Sequence, residues 1–185
     1  AVRPGQGVLD LPTCVGLEWA DGLPGRPTPR RGLVASSRGL GEVIAAALRK
    51  GATDITVGVG GSASTDGGAG MLEALGVRLL DKNLAPISPG AAGLTELTRL
   101  DLSGLNRKLS GVELTVACDV TSPLLGPEGA AAVFGPQKGL DHEGIAVAEA
   151  GLTRLADLME PAIGSTYRDA PGSGAAGGGG WALRC

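Results

Sequence analysis

The residues best suited to chemistry fall in three glycine-bounded stretches. The first is Gly58-Val59-Gly60-Gly61-Ser62-Ala63-Ser64-Thr65-Asp66-Gly67-Gly68. Adjacent glycines let backbone N–H groups approach an anion, a following helix adds the positive end of its dipole, and Ser62, Ser64 and Thr65 add hydroxyls. Gly60, Gly61, Ser62, Ser64, Thr65, Asp66, Gly67 and Gly68 are therefore candidate substrate- or phosphate-binding residues. A tight strand-to-helix turn would use the same glycines for geometry alone. The second stretch ends the apolar run 112–118 with Asp119. A carboxylate just past a strand can hold Mg²⁺ or orient a hydroxyl, or it can simply open a turn. In the third, Phe134-Gly135-Pro136-Gln137-Lys138-Gly139, Lys138 is either a point charge for a phosphate or carboxylate, or a solvated surface lysine. Asp119 and Lys138 are the catalytic candidates, and Asp119 is also the candidate metal ligand.

A competing pattern overlaps the first stretch. Residues 58–63 fit G-x-G-x-x-A, and Asp81 lies 23 positions beyond Gly58, near the place of the ribose-binding acid in the dinucleotide fingerprint. A nicotinamide-type oxidoreductase is thus an alternative, although a helix precedes the strand and the next helix starts late. No G-x-x-x-x-G-K-[ST] is present, which excludes the usual P-loop. The single histidine, His142, sits between Asp141 and Glu143 at a helix start, so a Ser-His-Asp hydrolase is a poor fit. Cys118 reads as a small buried hydrophobe.

These stretches need elements to position them. Leu40, Val43, Ile44, Ala47 and Leu48 recur at helical spacing before the stop at Gly51, and residues 54–59 form a β-branched strand. A helix capped by Thr65 or Asp66 runs to Gly76, and strands follow over 77–80 and 112–118. Residues 82–111 read as a connection with a short helix near 94–97. Helices are expected over 126–134 and 145–159. Alternation of strands and helices predicts an α/β fold with a mostly parallel, Rossmann-like sheet and flanking helices. The chain divides into a poorly defined segment 1–35, read as loop up to residue 32 with one short helical turn, an α/β core 36–170, and a glycine-rich tail 171–185. That tail is either flexible or a ligand loop lacking its helix.

Composition removes several classes. A charge of −3 without a basic run, and only four aromatic residues in 185, leave no footprint for nucleic acid. Nothing in the chain resembles a membrane span or a signal peptide, so a soluble, cytoplasmic protein is expected. Cys14, Cys118 and Cys185 are too few and too scattered for a disulfide framework or a zinc site.

Taken together, 58–71, 74–77, Ala117-Cys118-Asp119-Val120, Leu124-Leu125-Gly126-Pro127 and Phe134-Gly135-Pro136-Gln137-Lys138-Gly139 closely resemble the bacterial glycerate kinase type 1 family. The resemblance runs from about Ser36 to Gly178. It implies one part of a two-lobe kinase that transfers the γ-phosphoryl group of ATP, with Mg²⁺, to a hydroxyl of glycerate. The expected partners are small molecules, glycerate and ATP. The resemblance also implies an internal piece of a longer protein, without an N-terminal Asp-Ser-Phe-Lys-Gly motif or a C-terminal Gly-Glu-Gly segment. Residues 179–185 depart from the family's usual continuation.

Overall fold

The structure, a computed structural model, describes residues 5–10 and 28–185. Strands β1 (Gln6–Asp10), β2 (Asp54–Gly58) and β5 (Glu113–Ala117) form a parallel sheet with β2 in the centre. In register, Leu9, Val57 and Val116 form one row and Gly7, Ile55 and Leu114 another. Rows two residues apart share a face, and this face is the buried one, with Ile55 and Val57 fully enclosed. The opposite face carries Val8, Thr56 and Thr115 in register. Val8 is 66% exposed there, so helices among the described residues cover one side of the sheet only. Because the strands are parallel, their carboxyl ends share one edge, and the chain leaves β2 and β5 there through Val59–Ser62 and Cys118–Val120.

Helices α1 (Pro29–Val34), α2 (Arg38–Arg49), α3 (Ala69–Ala74), α4 (Gly90–Leu94), α5 (Ala130–Phe134), α6 (His142–Ile163) and α7 (Gly179–Ala182) supply the rest of the core. In α2 the buried positions Leu40, Ile44, Ala45 and Leu48 make one stripe, and Gly51 at φ +84° follows the helix end. The stripe packs with Ile55, Val57 and Met71 in a single cluster. Long α6 begins at Asp141, whose side chain accepts from the Gly144 amide at 2.8 Å, and stops at left-handed Gly164. His142 is its exposed first residue.

Several expectations change. Part of the N-terminal stretch read as loop is regular: residues 6–10 form β1, and α1 supplies the one short helical turn expected there, while residues 1–4 and 11–27, including Cys14, lie outside the described residues. Residues 78–80 do form a strand, β3, but it pairs antiparallel with β4 (Arg99–Asp101) and not with the main sheet. Its partner comes from the stretch read as a connection. Cys118 is exposed, its thiol donating to the Val120 carbonyl oxygen at 3.2 Å, because it lies just past β5 at the open edge.

The glycine-rich C-terminal stretch is not a loose tail. Residues 172–175 and 177–182 are buried, and Trp181, Ala175 and Ala182 belong to the same core cluster as Leu40. Glu160, near the end of α6, anchors this stretch. Its Oε1 accepts from the amides of Tyr167 and Arg168 at 2.8 Å each and from Trp181 Nε1 at 3.1 Å, and its Oε2 accepts from Arg168 Nε at 2.6 Å. Burial works against the charge, but the hydrogen bonds from Tyr167, Arg168 and Trp181 outweigh it and hold the carboxyl below its ordinary 4.5. The stability this group contributes is therefore complete above that value and is lost as pH falls through the lower, folded one. Glu160→Gln should lower unfolding free energy by about 2 kcal/mol in urea melts at neutral pH. The gap between variant and parent should narrow as pH drops below the carboxylate range.

Candidate functional site

A cavity of about 190 Å³ opens at the carboxyl edge of the sheet. Val59, Gly60, Gly61 and Ser62 enter it from the end of β2, and Asp119 and Val120 from the end of β5. Phe134 closes α5, and Gln137 and Lys138 follow in a 3₁₀ turn, Pro136–Lys138. Ala175 and Ala176 complete the wall from the glycine-rich stretch. Four separate parts of the sequence therefore meet at one opening.

Lys138 is the cation of this site and is only 3% exposed. Its Nζ donates to Ser62 Oγ at 3.1 Å and to the Ser64 carbonyl oxygen at 2.5 Å. An ammonium carries three N–H bonds, so one donor is left for the cavity. Burial pushes this amine down from 10.5 to about 8, and the negative charge of Asp66 pulls the other way. Room for it depends on Gly177, at φ +66°, where a Cβ would stand 2.9 Å from Lys138 Nζ. Asp119 is exposed at the cavity, and no described residue hydrogen-bonds its carboxylate.

Asp66 is fully buried and faces protein donors. Its Oδ2 accepts from the Ser37 amide at 2.8 Å, Ser37 Oγ at 2.9 Å and the Gly70 amide at 3.2 Å, and its Oδ1 accepts from the Gly68 amide at 3.2 Å. Ser37 Oγ in turn accepts from the Met71 amide at 3.0 Å. These bonds satisfy unpaired donors at the start of α3, whose cap is Gly68. The expected capping by Asp66 is thus supplied from two residues before the cap, by its side chain.

Of the residues read as ligand-binding, the structure brings Gly60, Gly61 and Ser62 to the cavity, together with Asp119 and Lys138. Ser64, Thr65, Asp66, Gly67 and Gly68 are buried behind it. The Gly67 amide donates to the Gly177 carbonyl oxygen at 2.9 Å, tying the first loop to the C-terminal stretch. The hydroxyls of Ser64 and Thr65 are buried without a hydrogen-bond partner. Ser37 was not singled out from sequence; Phe134 and Gln137 lie in the third stretch and Ala175 and Ala176 in the possible ligand loop, but none of the four was named as a site residue. The one signal for the last pair is a left-handed, glycine-dense stretch in which alanines persist.

The dinucleotide alternative does not survive. The G-x-G-x-x-A turn ends at residue 63 but α3 starts at Ala69, so the turn does not open a helix. Asp81 lies in the turn after β3, where its Oδ1 accepts from the amides of Asn83 and Ala85 at 2.8 and 2.9 Å.

A parallel α/β sheet with a glycine-lined cavity at its carboxyl edge, where Lys138 and Asp119 meet, defines an α/β domain whose opening lies where such sheets place their ligands. The family model described as "Glycerate kinase family" matches residues 3–185, and the chain belongs to that family. The match includes residues 179–185, where a departure was expected. The chain is 51% identical to glycerate kinase of Bacillus subtilis (strain 168) and 47% identical to glycerate 2-kinase of Escherichia coli (strain K12). Each match covers 89% of this chain and 43% of the relative. The crystal structure assigned to glycerate kinase 2 of Salmonella typhimurium LT2 superposes with a TM-score of 0.89 at 45% identity, covering 96% of this chain and 46% of that one. The chain therefore spans less than half the length of these relatives.

Lys138 generates a pH signature. The folded chain releases this proton at about 8 and the unfolded chain holds it to about 10.5. In that window the unfolded state binds more protons, and stability rises with pH. Urea melts at a series of pH values should show this rise in the parent and its loss in Lys138→Met. Asp66→Asn should move the Lys138 titration, followed by NMR of the side-chain amine, further down.

Proposed function

We propose that this chain forms one lobe of a glycerate kinase and that the cavity seats the acid during transfer of a phosphoryl group from ATP to a glycerate hydroxyl. The observation that carries the reading is Lys138, a buried cation with one unspent donor, in the same cavity as the free carboxylate of Asp119. Phosphoryl transfer asks a protein for charge neutralisation and alignment more than for covalent chemistry. A cation out of water acts strongly on an anion nearby. Lys138 offsets the charge of the acid's carboxylate or of the phosphoryl group, and the backbone of Gly60 and Gly61 with Ser62 Oγ lines the anion's approach. Asp119 accepts the hydroxyl's hydrogen bond and so fixes the direction in which that oxygen faces.

ATP would supply the phosphoryl group, and Mg²⁺ would neutralise its charge. Among the described residues no cluster of three or more metal-binding side chains exists. One carboxylate fits the habit of Mg²⁺, which takes one or two carboxylates and completes its shell with phosphate oxygens and water. Asp119 is the residue that would hold it. No helix among the described residues is long and apolar enough to cross a membrane, and a cytoplasmic setting suits both substrates.

Glycerate-dependent release of ADP, measured with Mg²⁺ and ATP, tests the reading. Lys138→Met and Asp119→Asn should each lower kcat/KM at least 100-fold, about 2.7 kcal/mol of transition-state stabilisation. Rates within about threefold of the parent in both variants would overturn the roles assigned to them.

A further inference from the structure

Ala176 stands in a conformation that its side chain opposes. Its φ is +54° and ψ +35°, and Gly177 and Gly178 continue in the same left-handed region. In that region a Cβ crowds the following carbonyl oxygen, which glycine avoids. The sequence places glycine at each of the next four positions, 177–180, yet keeps alanine at 176. The Ala176 side chain is half-buried, packs against the core and lines the same cavity as Gly60, Asp119 and Lys138. Strained residues cluster at ligand sites, and Ala176 is the one described residue other than glycine that combines a positive φ with a place in this cavity wall.

We propose that Ala176 is a specificity-determining residue whose methyl group narrows the acid's seat, so that a three-carbon hydroxy acid fills it and a longer one does not. This rests on the reading of the cavity as that seat. The wall it completes is apolar on the sides formed by Val59, Val120 and Phe134, while Lys138 supplies the charge. An acid would therefore be selected by its carbon skeleton against these surfaces, with its anionic end on the lysine. One methyl at such a wall can discriminate one carbon by roughly 10-fold to 200-fold.

The experiment is binding of D-glycerate and of the four-carbon erythronate to the chain by calorimetry, with thermal melts in parallel, for the parent, Ala176→Gly and Ala176→Asn. Ala176→Gly removes the strain and should raise the melting temperature by about 2 °C. It should also lower the preference for glycerate over erythronate by about tenfold. Asparagine tolerates left-handed backbone but is larger, so Ala176→Asn should stay folded and lose glycerate binding. A higher melting temperature with unchanged preference in Ala176→Gly would overturn the proposal, as would full glycerate binding in a folded Ala176→Asn. A lower melting temperature in Ala176→Gly would make the methyl a packing group and overturn it too. Failure of the parent to bind either acid would overturn the seat itself together with this proposal. That result is distinct from failure of the proposal alone, in which the parent binds and the preference does not move.

Discussion

The carboxylate of Asp66 is the constraint on which the site depends. A cation as buried as Lys138 needs a negative charge nearby, and the charge needs fixed donors to be tolerable out of water. Asp66 meets both conditions. Its oxygens accept four hydrogen bonds, two from Ser37 just before α2 and two from the amides that open α3. The same group thus sets the two helices against each other, closes the helix end that would otherwise carry unpaired donors, and lowers the cost of burying Lys138. At Gly41 the helices come so near that a Cβ would stand 2.7 Å from that of Ala74. Moving any one of Ser37, Asp66 or Lys138 would therefore disturb the others.

What could be read from the sequence follows from how local each signal is. The stripe of α2, the β-branched run of β2, the apolar run of β5 and the long α6 are written in neighbouring residues, and their types were legible there with ends shifted by a few positions. Family membership was legible too, because several separate motifs carry it. Strand β1 was not. Gln6-Gly7-Val8-Leu9-Asp10 contains two residues that disfavour strands, Gly7 and Asp10, and it is extended because β2 offers it a full parallel register. The placement of β3 outside the main sheet was likewise a tertiary choice, made by pairing with β4. Glycine count misled at 171–185, since glycine loosens an isolated chain but also lets buried backbones touch, as Gly177 does at the Ser64–Thr65 loop. At the site, residue type named Lys138, Asp119 and the glycine loop, but it could not tell which polar side chains face the cavity. Asp66 has the chemistry of a ligand residue and the surroundings of an anchor.

Among the described residues, the sheet is clothed on one face only. Parallel sheets are ordinarily covered on both faces, whereas here the row of Val8, Thr56 and Thr115 faces outward. Two threonines in that row soften the exposure, since their hydroxyls remain compatible with water. The site lies away from this face. It is built where the strands end, by loops whose positions are fixed from the buried side through Asp66, Gly67 and Gly177.

Placing the lysine behind the glycine loop has a consequence for selectivity. A surface lysine is hydrated, mobile and screened by salt, so it attracts every anion weakly. Lys138 has exchanged that hydration for two fixed acceptors, Ser62 Oγ and the Ser64 carbonyl oxygen, which leaves it one donor. An anion gains from it only by entering a cavity of about 190 Å³, and entry is governed by the walls. In the proposed reading, charge supplies the attraction common to all small anions, and the wall completed by Ala176 decides which of them fits.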